Sequence, residues 1–401
     1  MKILLINQAF HPDVAATAQQ LTDLAVDLAK NGHDVTVLAG RRGYAEPHPV
    51  FFASETYQGV KIIRVWPFTL GRKYRFARIL DAVCLNLSFA LRLLWFSHFD
   101  VMVVMTTPPL VAWIASFFAK TRKARFVYWV MDINPDEAIE AGWLRKDSFA
   151  AKALEKVSKW VLKKSDAIVV LDRFMQERLV AKGADAERMT VIPPWSHNED
   201  LATIPHEKNP FRKKYGLDRK FVVMYSGNHS ICHPLDTLLG AALALKDDPS
   251  VLFVFIGGGE RVQDVTRFKD RNGLSNILQL PYQARQDMKF SLSGADIHVV
   301  IMGGPYVGIV HPCKIYGILM IGRPFLYIGP RTSPIGEMIL REGLGYQVEH
   351  GDKERVVEGI RNLRSLEEFQ KIQIQRRSQK LAAEKFSRDV LSPQLIKAVI
   401  G

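Results

Sequence analysis

The chain has 401 residues, 48% of them apolar, and a formal net charge of +13. That length allows two or three domains with buried cores, and the composition is that of a soluble globular protein. Its three cysteines, Cys84, Cys232 and Cys313, form no CxxC pair and no disulfide framework, which fits a reducing cytosol.

The positive charge points to an anionic partner, nucleic acid or a phospholipid surface. The basic residues form no single long run and no nucleic-acid motif with its spacing is present, so nucleic acid is disfavoured. MKILLINQ at the N-terminus carries one Lys and a short apolar run, and reads as a first strand and not as a signal peptide.

In chain order, Lys2–Asn7 is a strand. The loop Gln8–Ala16 follows, then a helical pattern over Thr17–Lys30 with Leu21, Leu24, Ala25 and Leu28 on one face. Asn31-Gly32 ends that helix, and Asp34–Ala39 is the next strand. This is a βαβ unit, so the sheet is expected to be parallel. Ligands gather at the carboxyl ends of such strands, which makes the loop QAFHPDVAATA, with His11 and Asp13, and Thr17 after it a site candidate. A GxGxxG dinucleotide fingerprint is absent. Further strand-like runs are Val60–Trp66, Asp100–Met105, Arg125–Met131, Asp166–Leu171 and Met189–Ile192. They predict one doubly wound domain over 1–193.

Residues 72–98 are unusual. The apolar run Ile79–Phe96 contains Asp81, Asn86, Ser88 and Arg92, too many polar residues for a transmembrane helix. Arg72, Lys73, Arg75 and Arg78 precede a Leu/Phe/Trp-rich face, as in an interfacial helix lying on an anionic membrane. The plainer reading is a helix buried in the domain with a basic, solvated end.

YWVMDINPDEAIEAG, at 128–142, holds three acids just past a strand end. Asp132 falls where the strand stops and can reach the crevice or act as a cap. Asp136 and Glu137 read as first-turn helix acids.

Ile192–Leu201 is rich in Pro and polar residues and reads as the interdomain linker. A second βα series begins with the strand Phe221–Ser226, which ends in Gly227-Asn228 and precedes a helix opening near Pro234. Gly227 permits close backbone approach to a ligand, and His229 and His233 share its loop. Val251–Ile256 is a buried strand ending in Gly257, Gly258, Gly259 and Glu260, a weak signal for a phosphate or sugar cradle. Asn276–Leu280, Asp296–Ile301 and Pro324–Ile328 continue the sheet. Arg355–Ile360 and Leu363–Phe386 look helical, and Pro393–Ile400 is a last helix with Pro in its first turn.

Residues 305–330 combine a Gly/Pro-rich loop, a short apolar helix over Cys313–Met320 with Pro312 at its start, and a strand. His311 and Lys314 flank that helix start. Free N–H groups, a favourable dipole end and a cation together suit a phosphate, although an ordinary loop-to-helix joint has the same outline.

These residues resemble a known family over nearly the whole chain. KILLINQAFHPD with NGHDVTVLAG, MTTPPL, the Asp-x-x-Pro of Asp132–Pro135, YSGNHSICHPLDTLL, FIGGGE and the Pro-x-Lys of Pro312–Lys314 with Gly322 and Pro324 are similar, in order and spacing, to family 4 glycosyltransferases. The nearest pattern is the bacterial subgroup that extends lipid-linked saccharides for the cell surface. The resemblance implies an α/β chain of GT-B fold, with two Rossmann-like doubly wound domains facing a central cleft. The domains are 1–193 for the acceptor, with the membrane-associating segment 72–98, and 194–375 for the donor. A C-terminal helical segment, 376–401, packs back on the first domain.

The resemblance also implies retaining transfer of a hexosyl or N-acetylhexosaminyl group from a nucleotide-sugar, with UDP the commoner carrier, to a polyprenyl-diphosphate-linked saccharide. The protein would be peripheral on the inner face of the cytoplasmic membrane, without metal or other cofactor. Asp132 would orient or deprotonate the acceptor hydroxyl, with His11, Asp13 and Thr17 holding the acceptor. Lys314 and His233 would balance diphosphate charge, Gly227, Asn228, Gly258 and Gly259 would give close backbone contact, and His311 and the helix start at Pro312 would meet phosphate or sugar.

Two departures matter. The family often has an Arg and a Lys where this chain has Asn228 and His233, and two glutamates where it has Ile309 and Gly317. Lys314 is a substitute for the first pair. Glu337 is a candidate substitute for the ribose-holding glutamate, or an ordinary helix-start acid. The missing glutamates keep a non-catalytic membrane-bound scaffold open as an alternative. A nucleotide-sugar epimerase on the same scaffold is a further one, against which the basic, apolar 72–98 segment argues.

Overall fold

The computed structural model describes residues 1–13, 15–43, 50–66, 75–196 and 202–401, with 75–79 described in backbone only. The chain divides into two units. One holds the described residues through 196 together with 308–311 and 388–401, and the other holds 202–307 and 312–387.

In the first unit, β1 (Lys2–Ile6), α1 (Ala16–Lys30), β2 (Asp34–Gly40), β3 (Ser54–Tyr57), β4 (Val60–Val65), α2 (Arg75–Leu94) and β5 (Val101–Val104) come first. Then follow α3 (Val111–Thr121), β6 (Arg125–Trp129), α4 (Asp136–Glu140), α5 (Phe149–Lys164), β7 (Ala167–Val170), α6 (Arg173–Ala181) and β8 (Met189–Val191). The eight-stranded sheet has the order β3-β4-β2-β1-β5-β6-β7-β8. All neighbours are parallel except β3 and β4. Strand order reverses between β1 and β5, and the loops after these two strands meet. Gln8 N donates to the Thr107 carbonyl at 2.8 Å and Thr107 Oγ1 to Asn7 Oδ1 at 2.7 Å. A doubly wound sheet opens its crevice at such a reversal, which puts His11 and Asp13 at its mouth.

The second unit contains α7 (Pro210–Lys214), β9 (Phe221–Ser226), α8 (Asp236–Ala244), β10 (Val251–Ile256), α9 (Val262–Arg271), β11 (Ile277–Leu280) and α10 (Met288–Ser293). It continues with β12 (Ile297–Ile301), α11 (Lys314–Ile321), β13 (Phe325–Ile328), α12 (Pro334–Glu342), β14 (Gly345–Val348), α13 (Lys353–Arg364) and α14 (Glu368–Lys385). Its six-stranded sheet runs β11-β10-β9-β12-β13-β14, parallel throughout. The reversal lies between β9 and β12, so the loops after those strands flank this unit's crevice. Alternation along β9 sends Val223 and Tyr225 into one core, with Phe253, Phe255 and Leu238, and Val222 and Met224 into the other, with Phe211 and Ile256.

Several elements differ from the sequence expectation. Ser54–Tyr57 adds an antiparallel edge strand through a hairpin whose Gln58-Gly59 both have positive φ, a geometry that suits a two-residue turn. Pro312 lies two residues before α11, whose N-cap is Cys313. The charged stretch 363–386 is two helices, α13 ending at Arg364 and α14 opening at Glu368 with a capping box between Glu367 and Gln370. The return to the first unit is α15 (Arg388–Ile400), not 376, because α14 is continuous through Lys385. Pro393 is interior to α15, and the helix is anchored where its first residue, Arg388, binds Asp27 at 2.7 and 3.0 Å and Asp23 at 3.1 Å. Of the linker Ile192–Leu201, residues 197–201 lie outside the described residues, as do Arg72 and Lys73, while the side chains of Arg75 and Arg78 are not described. Among the described residues no helix is long and apolar enough to cross a membrane.

Candidate functional site

In the second unit, three loop segments meet at the carboxyl edge of the sheet. Gly227 follows β9 with φ 134°, and a side chain there would meet Lys314 Cε at 3.4 Å. Gly257, with φ 133°, leaves so little room that a Cβ would lie 2.1 Å from the Gly227 carbonyl oxygen. At Gly259, φ 126°, it would lie 2.2 Å from Asn228 Oδ1. Both the left-handed backbone and the contact require glycine here. The loops are tied by His229 N to the Gly258 carbonyl at 2.7 Å and Arg261 N to the His229 carbonyl at 2.9 Å. Tyr282 covers Gly258, where a Cβ would stand 2.9 Å from its ring.

Lys314, the first residue of α11, reaches into this edge. Its Nζ lies 3.8 Å from the centroid of the buried Tyr225 ring and has no hydrogen-bond partner. Burial pushes its pKa down to about 7, against a small upward pull from Cys313. His229, 1% exposed, makes no hydrogen bond of ordinary geometry through either ring nitrogen. Burial, then Lys314, pushes its pKa down to about 4, with the Gly258 and Gly227 carbonyls pulling the other way. His233 is pushed well below its usual value by the same two causes in the same order. The buried Lys314 ammonium, the His229 and His233 imidazoles and the positive-φ Gly227 lie at one edge with unfilled hydrogen-bonding capacity, chemistry that suits an anion.

Pro312 and Glu337 stand at the same carboxyl edge, the first after β12 and the second in the first turn of α12 after β13, beyond the N-cap Ser333. Gly317 lies within α11, so no carboxylate stands there.

In the first unit, Asp132 and Glu137 flank the entry to α4. Burial, then the charge of Glu137, drives the Asp132 carboxyl well above the ordinary carboxylate range. Burial raises Glu137 as well, and burial with Asp132 raises Tyr128. Burial thus favours the protonated form of both carboxyls. Glu137, as expected, is a first-turn acid of α4. Asp136 is engaged elsewhere, with Lys182 at 2.6 Å and Arg178 at 3.5 Å, and Lys182 also binds Glu155 at 2.6 Å.

Residues 308–311 join this unit. Ile133 N donates to the Ile309 carbonyl at 2.9 Å, and Ile309 is fully buried, so an apolar side chain stands where the resembling family has its first glutamate. His311 Nδ1 donates to Asp172 Oδ2 at 2.7 Å, and Asp172 Oδ1 caps α6 by accepting from Met175 N at 2.8 Å. His311 thus carries an oriented ring. The signal for its partner was the Asp that closes β7 and precedes a helical pattern. Of the loop after β1, His11 stacks on Tyr57 at 3.8 Å between ring centroids. Asp13 Oδ1 accepts from Ala15 N at 3.0 Å, and Thr17 is half-buried in the first turn of α1. Among the described residues no group of three or more His, Cys, Asp or Glu side chains is arranged to hold a metal ion.

Comparison with known proteins follows the same division. Residues 16–195 match the model of the glycosyl transferase 4-like domain. WcaI of Escherichia coli K12, a putative colanic acid biosynthesis glycosyl transferase, is 24% identical over 388 residues, 90% of this chain and 91% of that protein. WbjE of Pseudomonas aeruginosa, a probable glycosyltransferase, is 24% identical over 253 residues, and the match spans 63% of each chain, under two thirds of WbjE. The crystal structure of Anabaena HepE in complex with UDP and glucose aligns over 100% of both chains, with a TM-score of 0.73 and 15% identity, a likeness of fold. With two parallel-sheet units of this topology, the chain has the GT-B fold, and its first unit is similar to the glycosyl transferase 4-like domain.

Proposed function

We propose that the protein is a retaining glycosyltransferase. It moves a hexosyl group from a UDP-sugar to a polyprenyl-diphosphate-linked saccharide during surface-polysaccharide synthesis, at the inner face of the cytoplasmic membrane. The observation that carries the reading is the buried Lys314 ammonium, unpartnered beside Gly227 at the carboxyl edge of β9. A nucleoside diphosphate leaving group needs fixed positive potential where its charge develops, and this cation is already desolvated. His229 and His233 add neutral donors, and Gly227, Asn228, Gly258 and Gly259 add backbone approach. Glu337 is our candidate for the ribose hydroxyls. Asp132, in its ionised form and with Glu137 beside it, takes the proton of the acceptor hydroxyl. The relatives support the direction: WcaI is named for colanic acid biosynthesis, and HepE was crystallised with UDP and glucose. The outward leucines of α2 suit an acceptor that is lipid-linked.

The test is calorimetric titration of the folded protein with UDP and with GDP, each with and without Mg²⁺, followed by transfer assays with a lipid-linked acceptor. Saturable UDP binding, weakened at least about tenfold by Lys314→Met, is the expected result. No nucleotide binding, with or without lipid acceptor, would favour a second reading as a non-catalytic scaffold, for which the apolar Ile309 and the missing carboxylate at Gly317 speak.

A further inference from the structure

We propose that Arg41, Arg42 and Trp66 form a subsite for an acidic sugar of the acceptor, with the pyranose ring against the indole and its acid group on the two guanidiniums. The acid is a carboxylate or a phosphate, either of which matches a guanidinium fork. This rests on the reading of the first unit as the acceptor-binding one, and it uses none of the residues that the sequence singled out for the acceptor.

The sheet brings the three side chains together. β2 and β4 pair in parallel with Gly40 opposite Val65, so Arg41 and Trp66 leave the carboxyl edge as neighbours. Arg41 N donates to the Val65 carbonyl at 3.0 Å, and the Trp66 carbonyl accepts from Ser88 Oγ of α2 at 3.3 Å. The same edge runs on to the crevice. Gly40 N donates to the Gln8 carbonyl at 2.8 Å and Gln8 N to the Thr107 carbonyl, where strand order reverses.

Two like charges converge here on one ring. The guanidinium carbons of Arg41 and Arg42 lie 4.7 and 5.9 Å from the centroid of the Trp66 ring, within cation–π range. Arg41 Nε donates to the Phe51 carbonyl at 2.8 Å, which fixes the direction of its fork. Arg42 Nε is buried and meets no acceptor. Among the described residues neither arginine pairs with a carboxylate, whereas Arg64 of β4, with a fully buried side chain, binds Glu55 at 2.6 Å and the carbonyls of Phe52 and His11 at 3.0 and 2.6 Å. Arg64 is thus committed to the fold, and the other two keep N–H groups for a ligand.

Trp66 is 47% exposed, so its indole retains an open side against which the apolar C–H face of a sugar can pack. A sugar with an acid group as a ring substituent reaches the indole and the guanidiniums together. A neutral sugar uses only the indole, and a small inorganic anion only the arginines.

The test is calorimetric titration of the full chain with cellobiouronic acid, with its neutral counterpart cellobiose, and with geranyl-diphosphate-linked N-acetylglucosamine. At least one acidic probe is expected to bind about tenfold or more tighter than cellobiose. Binding of the uronide assigns the acid to the saccharide, and binding of the glycosyl diphosphate alone assigns it to the lipid carrier. Arg42→Met should weaken the acidic probe about tenfold or more and leave cellobiose unaffected. Arg42→Lys should recover part of that loss, since the charge returns without the fork, and Trp66→Ala should weaken every probe. Unchanged circular dichroism keeps folding out of the comparison. Equal binding of acidic and neutral probes, or Arg42→Met that binds as wild type does, overturns the proposal. Lys314→Met should leave these titrations unchanged, and loss there would place the probe at the donor edge and overturn it as well. If UDP binding and transfer are absent while Arg42→Met still loses the acidic probe, the transferase reading fails and the subsite stands.

Discussion

The ammonium of Lys314 and the ring of Tyr225 face each other at 3.8 Å, the cation on the first residue of α11 and the ring on β9. Neither a carboxylate nor a carbonyl accepts from this Nζ. The π face offsets part of the desolvation, and the remaining hydrogen-bonding capacity is left for a ligand at the edge bounded by Gly227.

Replacing Lys314 separates ligand binding from stability. Lys314→Met should weaken UDP binding by about ten- to a hundredfold, the worth of charge-assisted hydrogen bonds. Because it removes a buried unpaired cation, it should leave the urea midpoint unchanged or raised. Calorimetry and urea unfolding on the same sample check both. A drop in midpoint with equal loss of binding would make Lys314 a packing residue.

The same lysine predicts a pH dependence with a definite sign. Its folded pKa, about 7, lies below the unfolded value, so the unfolded chain binds more protons between them and stability of the unliganded protein should rise with pH across that window. Nucleotide binding needs the charged form, so UDP affinity should be highest below pH 7 and fall as pH rises above it, with proton uptake on binding. Titrations in buffers of different ionisation enthalpy read that uptake. A flat profile in wild type, or the same slope in Lys314→Met, would assign the effect elsewhere.

Gly257 and Gly258 are neighbours with different consequences. Gly257→Ala combines φ 133° with a Cβ placed 2.1 Å from a backbone oxygen, and should cost about 2 kcal/mol or more in urea unfolding. Gly258→Ala meets only the edge of the Tyr282 ring, which is 56% exposed and can move. It should cost under about 1 kcal/mol while changing nucleotide affinity. Similar stability losses for both would show that Tyr282 is held as firmly as the backbone.

Asp132 should matter to chemistry more than to donor binding. Asp132→Asn is expected to keep UDP affinity and slow transfer by about a hundredfold or more. Its raised carboxyl also makes folded wild type less stable as pH rises above the ordinary carboxylate range. The variant should therefore be the more stable protein at pH 8, with the gap closing toward pH 4. Glu137→Gln removes the neighbouring charge and should move the acid limb of the rate profile to lower pH. Normal turnover in Asp132→Asn would remove it from the reaction.

Asp172 serves His311 and the start of α6 together. Asp172→Asn retains a capping oxygen and should lose under about 1 kcal/mol, whereas Asp172→Ala loses both partners and should lose about 1–3 kcal/mol. Thermal and urea unfolding rank the two. Equal losses would mean that the cap contributes nothing beyond the His311 contact.

The sequence by itself determined the strands whose apolar runs are long and bounded by turn residues. Phe221–Ser226 and Val251–Ile256 coincide with β9 and β10, and the βαβ order dictated parallel sheets. It did not reveal Gly345–Val348, three half-buried residues and one buried valine without a period, or the edge hairpin at Ser54–Tyr57. Residue type and strand-end position drew notice to Gly227, Lys314 and Asp132 one at a time. Only the tertiary structure decided their company: Asp172 beside His311 across 139 positions, and Tyr225 under Lys314. Arg41 and Arg42 are adjacent in the sequence, but that both stand on Trp66 follows from the parallel pairing of β2 with β4. Local propensity and periodicity act within one segment, whereas burial, charge coupling and close backbone approach arise between segments distant in sequence, and those set the chemistry of a site.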